Sequence, residues 1–124
     1  MKFTNGMWLA KEDCKISYPS EAYSADIVDN CLVLYAPYVK VEHKGNTTDG
    51  GLMTVRISSP AADVISVSMT NHAGSRAKKA AFPLNTRRMS SEVYETETHY
   101  VLASGGTEAH VAKGSPLQIS FFYN

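Results

Sequence analysis

The chain has 124 residues, which is the size of one domain and is long enough to bury a core without a metal or a disulfide framework. Twelve lysine and arginine residues balance twelve aspartate and glutamate residues, so the chain lacks the positive charge that binding to nucleic acid or to an anionic membrane requires. No stretch approaches the roughly 18 apolar residues of a membrane span, and Met1–Gly6 is not followed by the apolar run of an export signal, so we expect a cytoplasmic protein.

The first half of the chain predicts a β-hairpin whose turn is Asp29-Asn30. Apolar and polar residues alternate on both sides of this turn, as they do in antiparallel strands with one buried face. A two-residue turn sets Val28 opposite Cys31. One face of the hairpin then carries only apolar side chains: Tyr23, Ala25, Ile27, Leu32, Leu34 and Ala36.

A second hairpin is predicted after the polar loop Lys44–Gly51. Its turn is a three-residue loop at Pro60–Ala62. This turn predicts three apolar cross-strand pairs: Ile57 with Ile65, Val55 with Val67, and Met53 with Met69. The other face carries polar side chains: Thr54, Arg56, Ser66 and Ser68.

The stretch that follows this hairpin predicts a loop with little regular structure. Asn71–Asn85 contains glycine, proline and several basic residues, which are typical of a loop. Its best helical window, Arg76–Phe82, has three alanines but weak apolar periodicity, so we expect one helical turn at most.

A third hairpin is predicted around Gly105-Gly106, because two glycines tolerate the positive φ of a tight hairpin turn. This turn sets Leu102 opposite Ala109 and Tyr100 opposite Val111 on an apolar face. The other face carries His99, Glu108 and His110, and we expect it to be exposed to solvent.

Four more short strands are predicted, at Lys15–Tyr18, Val39–His43, Val93–Thr96 and Gln118–Tyr123. Together with the hairpins they bring the number of strands to nine or ten, which is enough for two stacked sheets. The predicted fold class is therefore all-β, an antiparallel β-sandwich. Residues 1–124 form a single such domain or part of one.

The acidic residues do not have the pattern of a hydrolytic site. Hydrolysis by paired carboxylates needs two acids that converge in a cleft. Here they lie in turns or at outward strand positions, and we interpret them as surface charge: Glu12, Asp13, Asp26, Glu42, Asp63 and Glu95. A G-x-S-x-G nucleophile motif and a phosphate loop followed by a helix are also absent from the sequence. We predict no catalytic residue and no cofactor.

Histidines and cysteines are the candidates for metal ligands. In the register of the third hairpin, His99 and His110 are diagonal neighbours within reach of one metal ion, but no third ligand is evident. We therefore predict surface histidines and no metal. Two further histidines have no assignable partner, His43 and His72. The spacing of Cys14 and Cys31 matches no zinc motif, and reduced thiols are the interpretation we prefer.

Exposed aromatic rings could stack on sugars, and six residues are candidates for such a platform: Trp8, Tyr18, Tyr23, Tyr35, Tyr38 and Tyr94. Rings of this kind more often fill a core or its rim. Trp8 has the position of an anchor for the first strand.

Several segments, in order along the chain, resemble family 31 of the glycoside hydrolases, which contains α-xylosidases and related α-glucosidases. The opening Met1–Leu9 is similar to the family's M-K-F/I-x-D/N-G-x-W-L start, and Val33–Pro37 to its V-Y-A-P segment. Further resembling segments are Leu52–Pro60, Val64–Val67, His72–Gly74, Phe82–Asn85, Ser104-Gly105 and Val111–Gly114. One departure is Leu117, since relatives often carry a tryptophan near this position.

The resemblance implies the amino-terminal, galactose-mutarotase-like β-sandwich of such an enzyme, in an incomplete form. In that family the two catalytic aspartates of a retaining mechanism lie in a (β/α)₈ barrel that this chain does not contain, so no catalytic residue carries over. The implied partner is the catalytic barrel of the parent chain, which acts on terminal α-linked sugars in carbohydrate metabolism. The implied role is noncatalytic: packing on the barrel and supporting the substrate entrance and homo-oligomer contacts.

Two other functions remain open at this point. One is a stand-alone carbohydrate-binding module that uses its aromatic residues, and the other is a structural or interaction domain with no role in sugar chemistry. A β-sandwich fold cannot choose between them, because the same architecture supports unrelated functions.

Overall fold

The computed structural model describes residues 13–48, 50–71 and 91–124. These residues form eight strands: β1 (Ser24–Val28), β2 (Cys31–Pro37), β3 (Leu52–Ala61), β4 (Val64–Thr70), β5 (Glu92–Glu95), β6 (His99–Ser104), β7 (Thr107–Ala112) and β8 (Ile119–Tyr123). They make two antiparallel four-stranded sheets, β1-β2-β3-β4 and β5-β6-β7-β8, in which each strand pairs with its neighbour along the chain. The predicted all-β class with two antiparallel sheets is confirmed.

The two sheets share one hydrophobic core. Strands β2 and β3 of the first sheet contact β6 of the second, and β4 contacts β7. The buried cluster takes side chains from both sheets: Ala22, Leu32, Leu34, Val55, Ile57, Leu102, Ala109 and Val111. Since every second residue of a strand points to the same face, the alternation in the sequence fills this space from two sides.

A buried pair of hydroxyl groups also joins the sheets. The Oγ atoms of Ser59 in β3 and Ser104 in β6 lie 2.6 Å apart. Ser59 Oγ also donates to the carbonyl oxygen of Ala61 at 2.8 Å. Both serines are buried, so the hydrogen bonds offset the cost of removing their hydroxyl groups from water.

The first predicted hairpin is confirmed in its register. Val28 pairs with Cys31, and the turn residues Asp29 and Asn30 have φ values of 52° and 57°. Asparagine and aspartate tolerate this left-handed region better than most residues do, which is why this dipeptide can make a tight hairpin turn. The predicted apolar face is also present, but Ile27 and Tyr23 at its edge are each 58% exposed.

The predicted register of the second hairpin is wrong by two residues. Ile57 pairs with Val67, and not with Ile65, because the turn lies at Ala62-Asp63 and a bulge shifts the register between Ser58 and Ala61. Asp63 adopts the positive φ that the turn requires, 60°. Because a slip of two residues keeps every side chain on its own face, the predicted inner and outer faces are nevertheless correct.

The third hairpin has the predicted register, with Leu102 opposite Ala109 and Tyr100 opposite Val111. Its outer face is less exposed to solvent than predicted. Val101 shares that face with His110, its partner across the strands, and is only 1% exposed. The outer face of the second sheet therefore has an apolar centre.

Two predicted strands are not strands in the structure. Lys15–Tyr18 lies outside both sheets, with Ile16 and Tyr18 exposed and Pro19 directly after it. Val39–His43 leads into a 3₁₀ helix at Lys44–Thr47, which His43 begins by accepting a hydrogen bond from the Gly45 amide at its Nδ1. His43 therefore caps a short helix, and the strand that alternation predicted here does not form. Within the described part of the chain, no helix has the length and hydropathy to cross a membrane.

Some predictions concern residues outside the described ranges. These are the opening segment Met1–Leu9 with its Trp8 anchor, Glu12, His72, the helical window Arg76–Phe82, and all of the loop Asn71–Asn85 except its first residue.

Candidate functional site

The outer face of the second sheet brings two predicted histidines together. His99 begins β6, and His110 lies in the middle of β7. Their ring centroids are 6.0 Å apart and the ring planes meet at 64°. The prediction that these two residues are neighbours is confirmed, and both side chains are half-buried.

Glu108 and Phe122 complete this group, which we call the histidine cluster. The Oε2 atom of Glu108 lies 2.7 Å from His110 Nε2. The Phe122 ring meets the His110 ring edge to face, with centroids 4.8 Å apart. Sequence reasoning did not include Phe122, although the predicted alternation of β8 implied that its side chain faces away from Phe121 and hence toward this surface.

The cluster does not have the paired carboxylates that acid–base hydrolysis of a glycoside needs. His99 Nδ1 lies 2.8 Å from the Thr98 hydroxyl oxygen, and His110 Nε2 is taken by Glu108, so one nitrogen of each ring is already engaged. The cluster holds one carboxylate where a glycosidase needs two. In residues 13–48, 50–71 and 91–124, no three histidine, cysteine, aspartate or glutamate side chains converge as metal ligands do.

The carboxylates predicted to be surface charge are exposed wherever the structure describes them, and several make local contacts. Glu95 forms an ion pair with Lys113 at 2.6 Å, and Glu42 forms one with Lys40 at 3.2 Å. Asp63 accepts a hydrogen bond from the Gly106 amide. These contacts stabilise turns and strand ends, and they do not bring two carboxylates face to face.

Asp26 changes the acidity of a neighbouring tyrosine. Its carboxylate accepts a hydrogen bond from Tyr35, and this bond, the charge of the carboxylate and partial burial together raise the pKa of the Tyr35 phenol above its ordinary value. The two residues lie on the outer face of adjacent strands, diagonal to each other in the register of β1 and β2. A phenol held in its neutral form can donate a hydrogen bond but is no general base at neutral pH.

Sequence reasoning missed one buried carboxylate, Glu21. This residue is 7% exposed, and its Oε1 atom accepts a hydrogen bond from the Val41 amide at 2.8 Å. The contact ties the segment before β1 to the segment after β2. Since the two segments do not face each other in any predicted hairpin, no spacing in the sequence points to this pair.

The candidate aromatic platform is not assembled in one place. Tyr18 and Tyr23 are 74% and 58% exposed beside the first sheet, whereas Tyr94 is 37% exposed on the second. Tyr38 packs over Gly51, where a Cβ atom would lie 2.5 Å from its ring. Trp8 lies outside the described residues. The described rings are thus divided among separate surfaces.

Both cysteines are free. Cys31 is buried at the start of β2, and its Sγ atom lies 3.2 Å from the Nη2 atom of Arg56, whereas Cys14 is exposed. The predicted reduced thiols are present in the structure.

The fold defines the chain as a β-domain of two antiparallel sheets. Its described residues do not assemble a pair of catalytic carboxylates.

No protein-family model matches the chain. The curated proteins that are similar to it include two that are named α-xylosidases. The α-xylosidase XylQ of Lactiplantibacillus pentosus is 35% identical over 69 residues, which cover 56% of this chain and 9% of that protein. The α-xylosidase of Emericella nidulans is 26% identical over 124 residues, which cover 99% of this chain and 16% of that protein.

The matched part is a small fraction of each relative, 9% and 16% of their lengths. The similarity points to an origin related to glycoside hydrolases.

Proposed function

We propose that this chain is a noncatalytic, amino-terminal β-sandwich domain of a retaining α-glycosidase of the α-xylosidase or α-glucosidase type. One observation carries the proposal: the similarity to the Emericella nidulans α-xylosidase runs through 99% of this chain, and so through both sheets, yet it corresponds to 16% of that protein. Both sheets of this chain therefore match a minor part of a larger enzyme.

The domain's role is to pack on the catalytic barrel of its parent chain and to support the substrate entrance and contacts between subunits. The described residues expose several large apolar side chains, and apolar side chains that lie together on a surface mark a contact with a partner. Examples outside β8 are Ile16, Tyr18, Tyr23, Ile27 and Met69. Ile27 and Met69 lie on edge strands, where another part of the parent protein can cover them.

Hydrolysis of terminal α-linked sugars belongs to the barrel in this proposal, as part of carbohydrate metabolism. The described carboxylates support this division of roles, because they are engaged in turns and ion pairs and do not converge in a cleft. The free thiols of Cys14 and Cys31 fit a cytoplasmic parent protein, since such compartments keep thiols reduced.

A domain exchange tests the proposal. This chain would replace the matched segment of the Emericella nidulans α-xylosidase, and the chimera would be assayed on a chromogenic α-xyloside beside the chain alone. We expect turnover by the chimera and none by the chain alone. A chimera with Leu34→Asp, which places a charge in the core, should lose activity, while the matched surface change Val28→Asp should not, because Leu34 is 0% and Val28 45% exposed.

Two outcomes would contradict the proposal. The first is hydrolysis of the α-xyloside by the chain alone. The second is saturable binding of xylosides or glucosides by the chain alone, together with a chimera as inactive as an enzyme that lacks the segment. This second result would support a stand-alone carbohydrate-binding module.

A further inference from the structure

Strand β8 (Ile119–Tyr123) is an open edge of the second sheet among the described residues. Its sequence, Ile-Ser-Phe-Phe-Tyr, contains no charged residue. Phe121, Phe122 and Tyr123 are 56%, 52% and 78% exposed, so aromatic side chains project on both faces of the strand. An uncharged, apolar edge strand of this kind is a template for pairing with another strand.

The hydrogen bonds of β7 identify which groups of β8 are free to pair. The Ala112 amide donates to the Gln118 carbonyl at 3.0 Å, and the Asn124 amide donates to the Gly106 carbonyl at 2.9 Å. Backbone groups of an antiparallel strand alternate between its two sides. The even-numbered residues of β8 therefore bond to β7, and the amides and carbonyls of the odd-numbered residues point away from the sheet: Ile119, Phe121 and Tyr123.

We infer that β8 is a self-association site, in which a second copy of this chain adds its own β8 in antiparallel orientation about a two-fold axis at Phe121. In this register Phe121 faces Phe121 of the second copy, and Ile119 faces Tyr123. All three residues whose backbone groups point outward are then paired in both copies. Each such pair exchanges two hydrogen bonds, and the two four-stranded sheets become one continuous sheet.

Charge distinguishes β8 from the other described edges as a site of self-pairing. A two-fold axis sets a strand against itself, so a charge near the axis meets its own copy, and like charges that face each other are destabilising. Self-pairing of β5 would bring together Glu92 and Glu95, and β1 carries Asp26 at its centre. Edge strand β4 is uncharged but has serine or threonine at alternate positions and no aromatic ring. Of the four described edges, β8 combines neutrality with the largest apolar side chains.

The size of the contact sets the expected strength. Five residues from each copy bury much less than the ~1,200 Å² at which stable complexes begin, so the dimer should be weak and reversible. We expect the weight-average mass of the 124-residue chain in sedimentation equilibrium to rise with concentration toward twice the monomer mass.

Phe121→Lys is the decisive variant, because it sets two positive charges opposite each other on the two-fold axis. It should raise the dissociation constant of the dimer by about tenfold or more. Met69→Lys is the matched control, since Met69 is also 56% exposed on an edge strand, β4. This control should leave the dissociation constant unchanged.

Phe121→Pro is a second variant that tests the same contact if Phe121→Lys does not fold. It removes the ring and the outward-facing amide of Phe121 but no backbone group that bonds to β7, so the pairing of β8 with β7 remains while the dimer weakens. Hydrogen exchange gives a second readout, because the Phe121 amide should gain protection as the concentration rises.

Three results would overturn the inference. They are a monomer at every concentration, equal effects of Phe121→Lys and Met69→Lys, and protection of the Phe121 amide that does not depend on concentration. The last result would indicate that another segment of the same chain covers β8.

Discussion

At the scale of single residues, Asp63 connects the two sheets. It lies in the turn between β3 and β4, yet its carboxylate accepts a hydrogen bond from Gly106 in the turn between β6 and β7. The Thr107 hydroxyl also donates to the Asp63 carbonyl at 3.1 Å. Gly105 lies directly beside this carboxylate, so two hairpin turns that are distant in the sequence depend on each other.

Gly105→Ala should destabilise the chain more than Gly114→Ala does. Both glycines have positive φ, 59° and 84°, so each substitution introduces backbone strain of about 1 kcal/mol. A Cβ atom at Gly105 would also overlap the Asp63 carboxylate, whereas Gly114 has nothing within 4 Å. We expect a loss of roughly 2–3 kcal/mol for Gly105→Ala in urea unfolding. Equal losses for the two variants would contradict the contact with Asp63.

Tyr35 should titrate at higher pH than an ordinary tyrosine. The Asp26 carboxylate favours the neutral phenol in the folded chain, so the pKa is raised on folding. The resulting contribution to stability is complete below the unfolded pKa of about 10 and is lost as the pH rises through the folded pKa. Asp26→Asn should move the pKa of Tyr35 back toward its ordinary value.

NMR titration of the tyrosine rings measures this shift, and Tyr35→Phe assigns the signal. A Tyr35 pKa that is the same with and without the Asp26 charge would show that this carboxylate does not act on the phenol.

At the scale of strands and turns, the tightness of a turn decided whether its register was predictable. The two-residue turns at Asp29-Asn30 and Gly105-Gly106 have the predicted pairings, because their residues suit the positive φ that such turns need. At the second hairpin, Pro60 indicated a turn that in fact lies further along, at Ala62-Asp63, and a bulge absorbs the difference. Bulges depend on how strands pack, and the local sequence did not reveal this one.

Asn30 should tolerate glycine and resist alanine. Its φ of 57° lies in the left-handed region, which glycine adopts without strain and alanine does not. We expect Asn30→Gly to stabilise the chain by about 0.5 kcal/mol and Asn30→Ala to destabilise it by about 1 kcal/mol in urea unfolding. The hydrogen bond from the Ser91 hydroxyl reaches the Asn30 backbone carbonyl, so both variants keep it. A stabilising alanine would contradict this turn geometry.

At the scale of the whole molecule, the shared core should make the two sheets unfold together. Leu34 in the first sheet and Leu102 in the second are both fully buried in one cluster. Replacing either by alanine leaves a cavity between the sheets and should cost about 2–5 kcal/mol. Leu52→Ala is the control, because Leu52 is 45% exposed and should lose no more than about 0.5 kcal/mol.

Urea unfolding followed at resolved amide signals of both sheets measures this coupling. Each core variant should shift one common transition for the two sheets. Separate midpoints for the first and second sheets would contradict a single core.

The contacts of the candidate site were predictable within a hairpin but not between segments that are distant in the sequence. His99 and His110 are neighbours because a tight turn joins their strands, and such a turn is encoded by the local sequence. The buried contact of Glu21 with Val41 and the reach of Asp63 to Gly106 join segments about 20 and 43 residues apart. Such contacts depend on the tertiary structure around each segment, and no periodicity in the sequence encodes them.

Alternation by itself determined that this protein is all-β, and it determined which side chains face inward, because strand geometry sends every second residue to the same side. Only the tertiary structure decided the bulge before Asp63 and the burial of Val101 on a face predicted to be solvent-exposed. It also decided the exposure of Phe121 and Tyr123, which lie at an edge left open by the residues that the structure describes. These properties depend on which strands lie beside and across from each other, and a single segment carries no information about its neighbours.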